Sequence, residues 1–336
     1  MKVEPLAVQH VAALEAASEL PWLVEGLWLE QGVGFLGGHP KSCKSWLALD
    51  IALSVASRTR VLGHWPVPRG GGVLVFAAED SPAMVRARFL GMAAARQVAL
   101  EDVPIHLVLE SSLRLESDGD QARLLATIEM LRPVLLILDP FVRMTSIDEN
   151  SAQEVSRVLA FLRELQRSHA VAILVVHHVR KSAGSGNGGL ALRGSGDFWA
   201  WSDTNLYLSR KQVGIELAVE QRCSKAPEPV FLELCDEEPS GPHLRMCESD
   251  PDPTAPAPLA TRVLEHLEEQ GGACKLDAIR AALRVRMQSL VDVLRELELK
   301  GRVRRVDGGW QVAPPAWPRE PGETEAGSAE AQPAEG

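Results

Sequence analysis

The stretch Phe35–Leu49, which reads FLGGHPKSCKSWLAL, decides the fold. An apolar strand runs into a short polar loop ending in Lys44 and Ser45, and an apolar helical pattern follows directly. This is the layout of a P-loop, whose backbone N–H groups cradle phosphates. The segment from Gly38 matches the pattern G-x-x-x-x-G-K-[ST] except that Cys43 stands at the second glycine, where a positive φ suits cysteine poorly. The alternative is an ordinary strand-turn-helix with a chance Lys-Ser pair.

Three further buried strands are predicted, and each ends in an acid or a histidine. The first ends in Glu79 and Asp80, the second in Asp139, and the third in His177 and His178. Near-continuous β-branched runs indicate strands covered on both faces, hence an α/β fold with a mostly parallel sheet flanked by helices. The carboxyl ends of such strands form the ligand-binding edge of the sheet. The predicted strands cover 72–80, 133–140 and 170–178.

Changes in composition divide the chain into five segments. We predict a helical lead-in over 1–30, an α/β core over 31–235, a Pro- and acid-rich linker over 236–258, a winged helix-turn-helix unit over 259–313 and a disordered tail over 314–336. In the core, helical patterns follow the strands, and three shorter strands after residue 203 favour an antiparallel edge. The helical patterns cover 46–57, 82–95, 121–131 and 152–168, and the short strands cover 204–208, 214–220 and 230–234.

The composition excludes several classes of protein. A formal net charge of −10 argues against a protein that coats nucleic acid over its whole surface, although local basic patches remain open. The five cysteines form no C-x-x-C pair and lack the spacing of a zinc site or a disulfide framework. The chain shows no signal peptide and no apolar run of about 18 residues, so we expect a cytoplasmic protein outside membranes.

The C-terminal unit has the pattern of three short helices followed by a hairpin. Between residues 259 and 312 it carries ten Lys or Arg against eight Asp or Glu, in contrast with the acidic whole. Arg284 and Arg286 stand at the start of the predicted recognition helix, and Arg304 and Arg305 stand in the predicted wing. Such a set suits contacts with DNA phosphates. The alternative is a winged helix that contacts protein.

Four elements of the core together resemble the RecA-like P-loop ATPases. They are the P-K-S-x-K-S loop from Pro40, the A-E-D end of the second strand, the L-I-L-D-P strand ending at Pro140 and the V-V-H-H strand ending at His178. The resemblance covers about 200 residues and is greatest to the branch that contains the RepA-type hexameric replicative helicases and bacterial AAA relatives. It implies ATP and Mg²⁺ as ligands. The implied ATP-binding loop comprises Gly38, His39, Pro40, Lys41, Ser42, Cys43, Lys44, Ser45 and Trp46.

The resemblance also implies roles for single residues. Lys44 binds the β- and γ-phosphates, Ser45 holds Mg²⁺, and Asp139 contacts Mg²⁺ through water. Glu79 orients the attacking water, from a strand beside the P-loop strand, and His178 senses the γ-phosphate. For His178 and His177 alike, the alternative is a buried structural histidine. Asp80 either shares the base role or, as we expect, caps the helix that starts near Pro82.

Other implied residues complete the site from a neighbouring subunit or contact DNA. Arg222 and Lys225 on a late strand are the implied trans-acting cations, followed by Arg210; the alternative for each is a surface residue with a weak ion pair. The Gly-rich segment after His178 contacts DNA in RecA-like rings. Here it carries Arg180, Lys181 and Arg193, and the following Trp199 and Trp201 either stack on bases or belong to the core.

These patterns leave three hypotheses. The first is a Mg²⁺-dependent ATP hydrolase, with helicase activity as one form, that acts on DNA as a ring-shaped homo-oligomer, a hexamer being favoured. The second is an ATP-gated regulator that binds DNA or a partner without unwinding. The third is a nucleotide-binding protein with crippled hydrolysis, suggested by Cys43 alone.

Overall fold

The computed structural model describes residues 8–13, 20–108, 110, 112–179, 196–211, 214–237, 241–247, 259–307 and 309–313. The chain forms two compact units, Met1–Pro253 and Thr254–Gly336. The described strands are β1 (Trp22–Val24), β2 (Trp28–Leu29), β3 (Val33–Gly38), β4 (Val73–Ala77), β5 (Ile105–Val108), β6 (Leu135–Asp139), β7 (Ala172–His178), β8 (Thr204–Arg210), β9 (Ile215–Gln221), β10 (Val230–Glu237), β11 (Gly241–Met246), β12 (Val303–Val306) and β13 (Gly309–Val312). The described α-helices are α1 (Lys44–Ser57), α2 (Pro82–Ala95), α3 (Asp118–Leu131), α4 (Ala152–His169), α5 (Asp197–Trp201), α6 (Leu259–Gln270), α7 (Leu276–Leu283) and α8 (Met287–Leu299).

The first unit is built on a nine-stranded sheet in the order β11-β10-β9-β8-β3-β7-β6-β4-β5. All pairings from β8 through β3 to β5 are parallel, and those from β8 to β11 are antiparallel. The predicted α/β class is therefore confirmed, together with an antiparallel edge. The four predicted helices between strands are present as α1 to α4.

Two strands of this sheet were not predicted. β11 lies inside the stretch predicted as a linker, so that prediction is wrong for Gly241–Met246; the acidic, Pro-containing composition concealed an edge strand, a position that tolerates proline. β5 was missed because it has only four residues and no fully buried position. It pairs in parallel with β4 at the other edge.

The predicted helical lead-in is wrong for residues 22–29. β1 and β2 form a small antiparallel hairpin, with Gly26 in its turn at φ 72°. A helix cannot continue through that conformation, and glycine adopts it without steric cost. Leu23, Val24, Leu27 and Trp28 are nevertheless buried, so the apolar segment packs on the core as expected.

Both faces of the sheet are covered, as its apolar strands require. Alternate residues serve opposite cores: Val73 and Val75 of β4 pack on the side of α1 and α2, whereas Leu74 and Phe76 pack on the side of α3, α4 and α5. Serines cap α2, α3 and α4 by accepting a backbone N–H of the first turn. The carboxyl ends of the parallel strands are thereby held at one edge between two packed layers.

The second unit has the predicted winged-helix plan. α6, α7 and α8 surround a core that includes Val263, Ile279 and Leu290, and β12 pairs with β13 as the wing hairpin. Cys274, just before α7, bridges to Trp310 of β13 and adds a third short strand segment to the wing. Among the described residues of both units, no helix has the length and apolar character needed to cross a membrane.

Candidate active site

The P-loop connects Gly38, the last residue of β3, to Lys44, the first residue of α1. A Cβ at Gly38 would lie 2.5 Å from Ser42 Oγ and 2.7 Å from the Leu208 carbonyl oxygen, so only glycine fits there. Lys41 and Cys43 both adopt left-handed conformations, with φ of 63° and 65°. Cys43 thus takes the conformation usual for the glycine it replaces, at a local cost of about 1–2 kcal/mol.

Lys44 folds back over this loop. Its Nζ donates to the carbonyl oxygens of Gly38 at 3.0 Å and His39 at 2.8 Å, and only 7% of the residue is exposed. Burial lowers the pKa of Lys44, while the carboxylates of Asp139 and Glu79 oppose that shift. The ammonium group is therefore a positive charge held at the loop, close to two acids from other strands.

Ser45 and Asp139 lie next to each other. The Ser45 hydroxyl is close enough to lower the pKa of the Asp139 carboxyl, but burial outweighs it and, with the nearby Asp80 and Glu79, raises that pKa to about 6. A hydroxyl and a carboxylate are oxygen donors of the kind Mg²⁺ takes beside substrate phosphates, so these residues fit that ion. Within the described ranges, no three His, Cys, Asp or Glu side chains cluster as a metal site.

The Ser42 hydroxyl also fits a phosphate-binding role. Its Oγ is buried, and no hydrogen-bond partner for it exists in the part of the chain that the structure describes. A buried hydroxyl without a partner costs about 1–3 kcal/mol, a cost that a ligand oxygen would remove. His39 is half-buried, Pro40 and Lys41 are exposed, and Trp46 is half-buried at the start of α1.

Glu79 lies just beyond β4 and beside the end of β6. Ala77 pairs with Asp139, and the Ala78 N–H donates to the Asp139 carbonyl at 2.8 Å. The expectation that Glu79 follows a strand beside the P-loop strand is wrong, because β7 and β6 lie between β3 and β4. Sequence order conceals this crossover. Glu79 still reaches the site electrostatically, since its charge acts on both Lys44 and Asp139.

Asp80 is not the cap of α2. Ser81 is the N-cap, and its side chain accepts from Met84 N–H. Asp80 instead forms a bidentate ion pair with Arg88 of α2 at 2.6 and 3.1 Å. The Arg88 guanidinium also lies over the Trp46 ring, 5.1 Å from its centroid, and so connects α2 to the P-loop helix. Neither contact of Arg88 was predicted from the sequence.

The two histidines occupy different surroundings. His177 is 1% exposed and packs among aromatic rings, 4.8 Å from Phe198 and 5.6 Å from Phe141. His178 is half-buried and pairs with Gly38 across the parallel β3–β7 ladder, which places it beside the P-loop. Its role as a phosphate sensor stays a prediction.

The predicted trans cations lie at the opposite edge of the sheet. β9 ends beside Thr204 of β8, and Thr204 pairs with Gly34 at the start of β3. Arg222, which follows β9, therefore lies near the start of β3, whereas the P-loop follows the end of β3. Arg222 is exposed, lies 3.5 Å from Asp203 and donates to the Ala200 carbonyl. Lys225 is exposed. Their action on a neighbouring subunit stays a prediction.

Arg210, the third cation named in that role, contacts the P-loop of its own chain. It ends β8, which runs parallel to β3, and its Nε donates to the Lys41 carbonyl at 2.8 Å. The parallel pairing explains this position, because it brings the carboxyl ends of both strands to one edge. A sequence that shows two short strands does not reveal their directions.

The predicted DNA contacts fall into two groups. Arg180, Lys181 and Arg193 lie outside the described residues. Of the tryptophans after them, Trp199 is 53% exposed, whereas Trp201 packs 5.5 Å from Phe35 and beneath Arg163. In the second unit, the four predicted arginines are all exposed: Arg284, Arg286, Arg304 and Arg305.

Two family models match successive parts of the chain. The model of a family described as AAA domain (AAA_25) matches residues 2–184, and the model of the DprA winged helix domain matches residues 248–309. No curated protein matches the chain. The solved ATPase domain of G40P is 13% identical, with a TM-score of 0.49 over 64% of this chain and 84% of that chain. The RadB recombinase is 16% identical, with a TM-score of 0.44 over 61% and 88%. Since the first match spans more than half of its residues, the chain belongs to the AAA domain family, and its C-terminal unit is similar to the DprA winged helix domain.

Proposed function

We propose that this protein is a Mg²⁺-dependent ATP hydrolase that acts on DNA. The observation that carries the proposal is the convergence of Lys44, the Ser45–Asp139 pair and Glu79 at one sheet edge, each within electrostatic reach of the others. Phosphoryl transfer depends mainly on positioning and on charge stabilisation. Positioning and charge would come from the buried ammonium group of Lys44, the oxygen atoms of Ser45 and Asp139, and the half-exposed carboxylate of Glu79.

Each residue has a part in the reaction. The P-loop amides and Lys44 would bind the β- and γ-phosphates, Ser45 would hold the Mg²⁺ that accompanies ATP, and Asp139 would contact that ion through water. The ion, when bound, neutralises charge on the phosphate oxygens. Glu79 orients a water molecule and takes its proton while the water oxygen bonds to the γ-phosphorus and the bond to ADP breaks. His178 senses the γ-phosphate from the strand beside the P-loop.

Assembly into a ring-shaped homo-oligomer, a hexamer in our proposal, completes the site. Arg222 and Lys225 would then supply positive charge to the neighbouring subunit's ATP, as trans-acting arginines do in related reactions. Their exposure at the edge away from their own P-loop supports a role across an interface. Head-to-tail contacts of this kind close into rings.

DNA contact is assigned to two places. One is the Gly-rich segment with Arg180, Lys181 and Arg193, where an exposed Trp199 follows. The other is the winged helix, through Arg284, Arg286, Arg304 and Arg305. A cytoplasmic location accompanies this function, because ATP and DNA are present together there. Strand separation, as in a replicative helicase, is one form of this activity.

The second candidate is an ATP-gated regulator without helicase activity. The winged helix favours it, since four exposed arginines at a recognition helix and wing are suited to a duplex site. A regulator should bind duplex DNA with sequence preference and turn over ATP slowly. Turnover that responds to single-stranded DNA and strand separation driven by ATP distinguish the first candidate.

The test is steady-state ATP hydrolysis with and without single-stranded DNA. We expect turnover in the wild type that rises with DNA, and its loss in Lys44→Ala, while Arg123→Ala, an exposed arginine of α3 paired with Glu110 and Asp120, remains at the wild-type rate. Glu79→Gln should keep ATP binding and lose turnover by several orders of magnitude. Unchanged turnover in Glu79→Gln would instead support crippled hydrolysis, and indifference to DNA would support the regulator.

A further inference from the structure

Glu79 has an ion-pair partner that the sequence did not indicate. Its Oε1 accepts a hydrogen bond from Nε of Arg143 at 3.0 Å. Both side chains are accessible, with 49% of Glu79 and 62% of Arg143 exposed. An exposed pair of this kind contributes little to stability. Since the ion pair adds little stability, its position beside Asp139 indicates a part in the proposed reaction.

The backbone of Arg143 is held firmly although its side chain is exposed. Arg143 ends a 3₁₀ turn, Phe141–Arg143, that begins two residues after Asp139. Its N–H donates to the Pro140 carbonyl at 3.1 Å, and its own carbonyl accepts from Arg114 Nη1 at 2.6 Å. Phe141 of the same turn is fully buried. The guanidinium therefore reaches Glu79 from a fixed backbone position just after β6, the strand that ends in Asp139, the proposed Mg²⁺ ligand.

The contact is made through one oxygen only. Nε of Arg143 donates to Oε1 of Glu79, whereas Oε2 accepts no hydrogen bond from the residues that the structure describes. A glutamate side chain otherwise samples several rotamers, and fixing them costs up to about 2 kcal/mol. A one-point contact restricts the orientations of the carboxylate and leaves its second oxygen available to a water molecule. This is what a group that orients a nucleophile requires.

We propose that Arg143 is the positioning residue of Glu79, and that it keeps this carboxylate turned toward the nucleophilic water. The proposal rests on the proposed ATP hydrolysis, because Glu79 has no other assigned task. Arg143 acts through Glu79 and does not bind ATP. Its loss should therefore lower kcat and leave KM and ATP binding unchanged, since a misplacement of about 1 Å costs on the order of 100-fold in rate.

The experiment compares Arg143→Ala and Arg143→Lys with the wild type in the full chain. We expect Arg143→Ala to lower kcat by about 10- to 100-fold, with KM and the Kd for a fluorescent ATP analogue changed less than about twofold. Arg143→Lys should retain more turnover than Arg143→Ala, because a single N–H donor suffices for a one-point contact. Added guanidinium ion should raise the turnover of Arg143→Ala. The matched control is Arg123→Ala, an exposed arginine with ion pairs away from the site.

A double variant separates a positioning role from a general structural one. In single-turnover measurements, Glu79→Gln with Arg143→Ala should be no slower than Glu79→Gln alone, since residues that act as a unit are not additive. The proposal would be overturned if the rate losses of the two single variants multiplied in the double variant. It would also be overturned if Arg143→Ala turned over as fast as Arg123→Ala or faster than the wild type. A wild type without ATP hydrolysis would overturn the proposed function instead. If Arg143→Ala does not fold, Arg143→Met, which keeps much of the side-chain length but has no N–H donor, is compared with Arg123→Met, and an equal kcat in the two variants would overturn the proposal.

Discussion

At the scale of single residues, two residues of the proposed site lower the stability of the folded protein. In the proposed reaction Asp139 must be ionised to contact Mg²⁺, yet burial raises its pKa to about 6 from a usual value of 3.8. Ionising it in the folded protein therefore costs free energy that the unfolded chain does not lose. Cys43 adds a second local cost through its left-handed conformation. Both residues belong to the proposed nucleotide site, and functional sites commonly contain residues that lower stability in this way.

Asp139→Asn tests this cost through its dependence on pH. The folded pKa lies above the unfolded one, so the penalty is present above about pH 6 and disappears as the pH falls toward 3.8. From urea unfolding we expect Asp139→Asn to be more stable than the wild type by up to about 3 kcal/mol at pH 7.5 and by about half as much at pH 5. Equal differences at both pH values would show that the charge of Asp139 is not the cause. Turnover should be lost in the variant at either pH.

At the scale of elements, a buried ion pair joins α1 to the end of α2. Asp50 of α1 is fully buried; its carboxylate pairs with Arg96 and also accepts from Leu62 N–H at 2.9 Å. Burial raises the pKa of Asp50, and the guanidinium of Arg96 opposes that shift. α1 carries Lys44 and Ser45, and α2 follows Glu79 and Asp80. The pair therefore connects the helix that follows the P-loop with the helix that follows Glu79, the proposed catalytic base.

Removing one partner of this pair should be severe. Arg96→Ala leaves a carboxylate buried without its counter-charge, which costs about 3–5 kcal/mol. Urea unfolding of Arg96→Ala and of Arg86→Ala, an exposed arginine on the same helix, provides the comparison, with less than about 0.5 kcal/mol expected for the control. A loss of under about 1 kcal/mol in Arg96→Ala would mean that water reaches Asp50.

The elements also show what the sequence could predict. The near-continuous apolar runs and the polar strand ends around Lys44, Asp139 and His178 predicted the parallel core, because strands that are buried on both faces are apolar throughout. The ion pairs of Arg96 and Arg143 could not be predicted, since each joins elements that are far apart in the sequence and that only the fold brings together. Arg88, by contrast, reaches back along its own helix to Asp80, and nothing in the sequence pattern marked that pair. Apolar residues at 22–29 resembled a helix until Gly26 and its positive φ placed a turn among them. β11 was hidden by a composition typical of linkers.

At the scale of the whole molecule, the charge is unevenly distributed. The whole chain has a formal net charge of −10. Its second unit, which has its own core, presents four exposed arginines at the predicted recognition helix and wing. A protein that neutralises phosphates releases counterions, so its affinity for DNA falls steeply with salt. If the winged helix binds DNA through Arg304 and Arg305 of β12, their removal should lower the salt dependence as well as the affinity.

Arg304→Ala with Arg305→Ala in the full chain tests that assignment. We expect weaker duplex binding, and a slope of log affinity against log salt that is smaller by about 2, one for each lost phosphate contact. The matched control is Arg280→Ala with Arg295→Ala, two exposed arginines of α7 and α8 that make the same change in charge. Fluorescence anisotropy with labelled DNA across a salt series measures both quantities. Equal slopes in the two double variants would mean that net charge alone attracts DNA, and an unchanged affinity in both would favour protein as the partner of this unit, because a wing that contacts protein has no counterions to release.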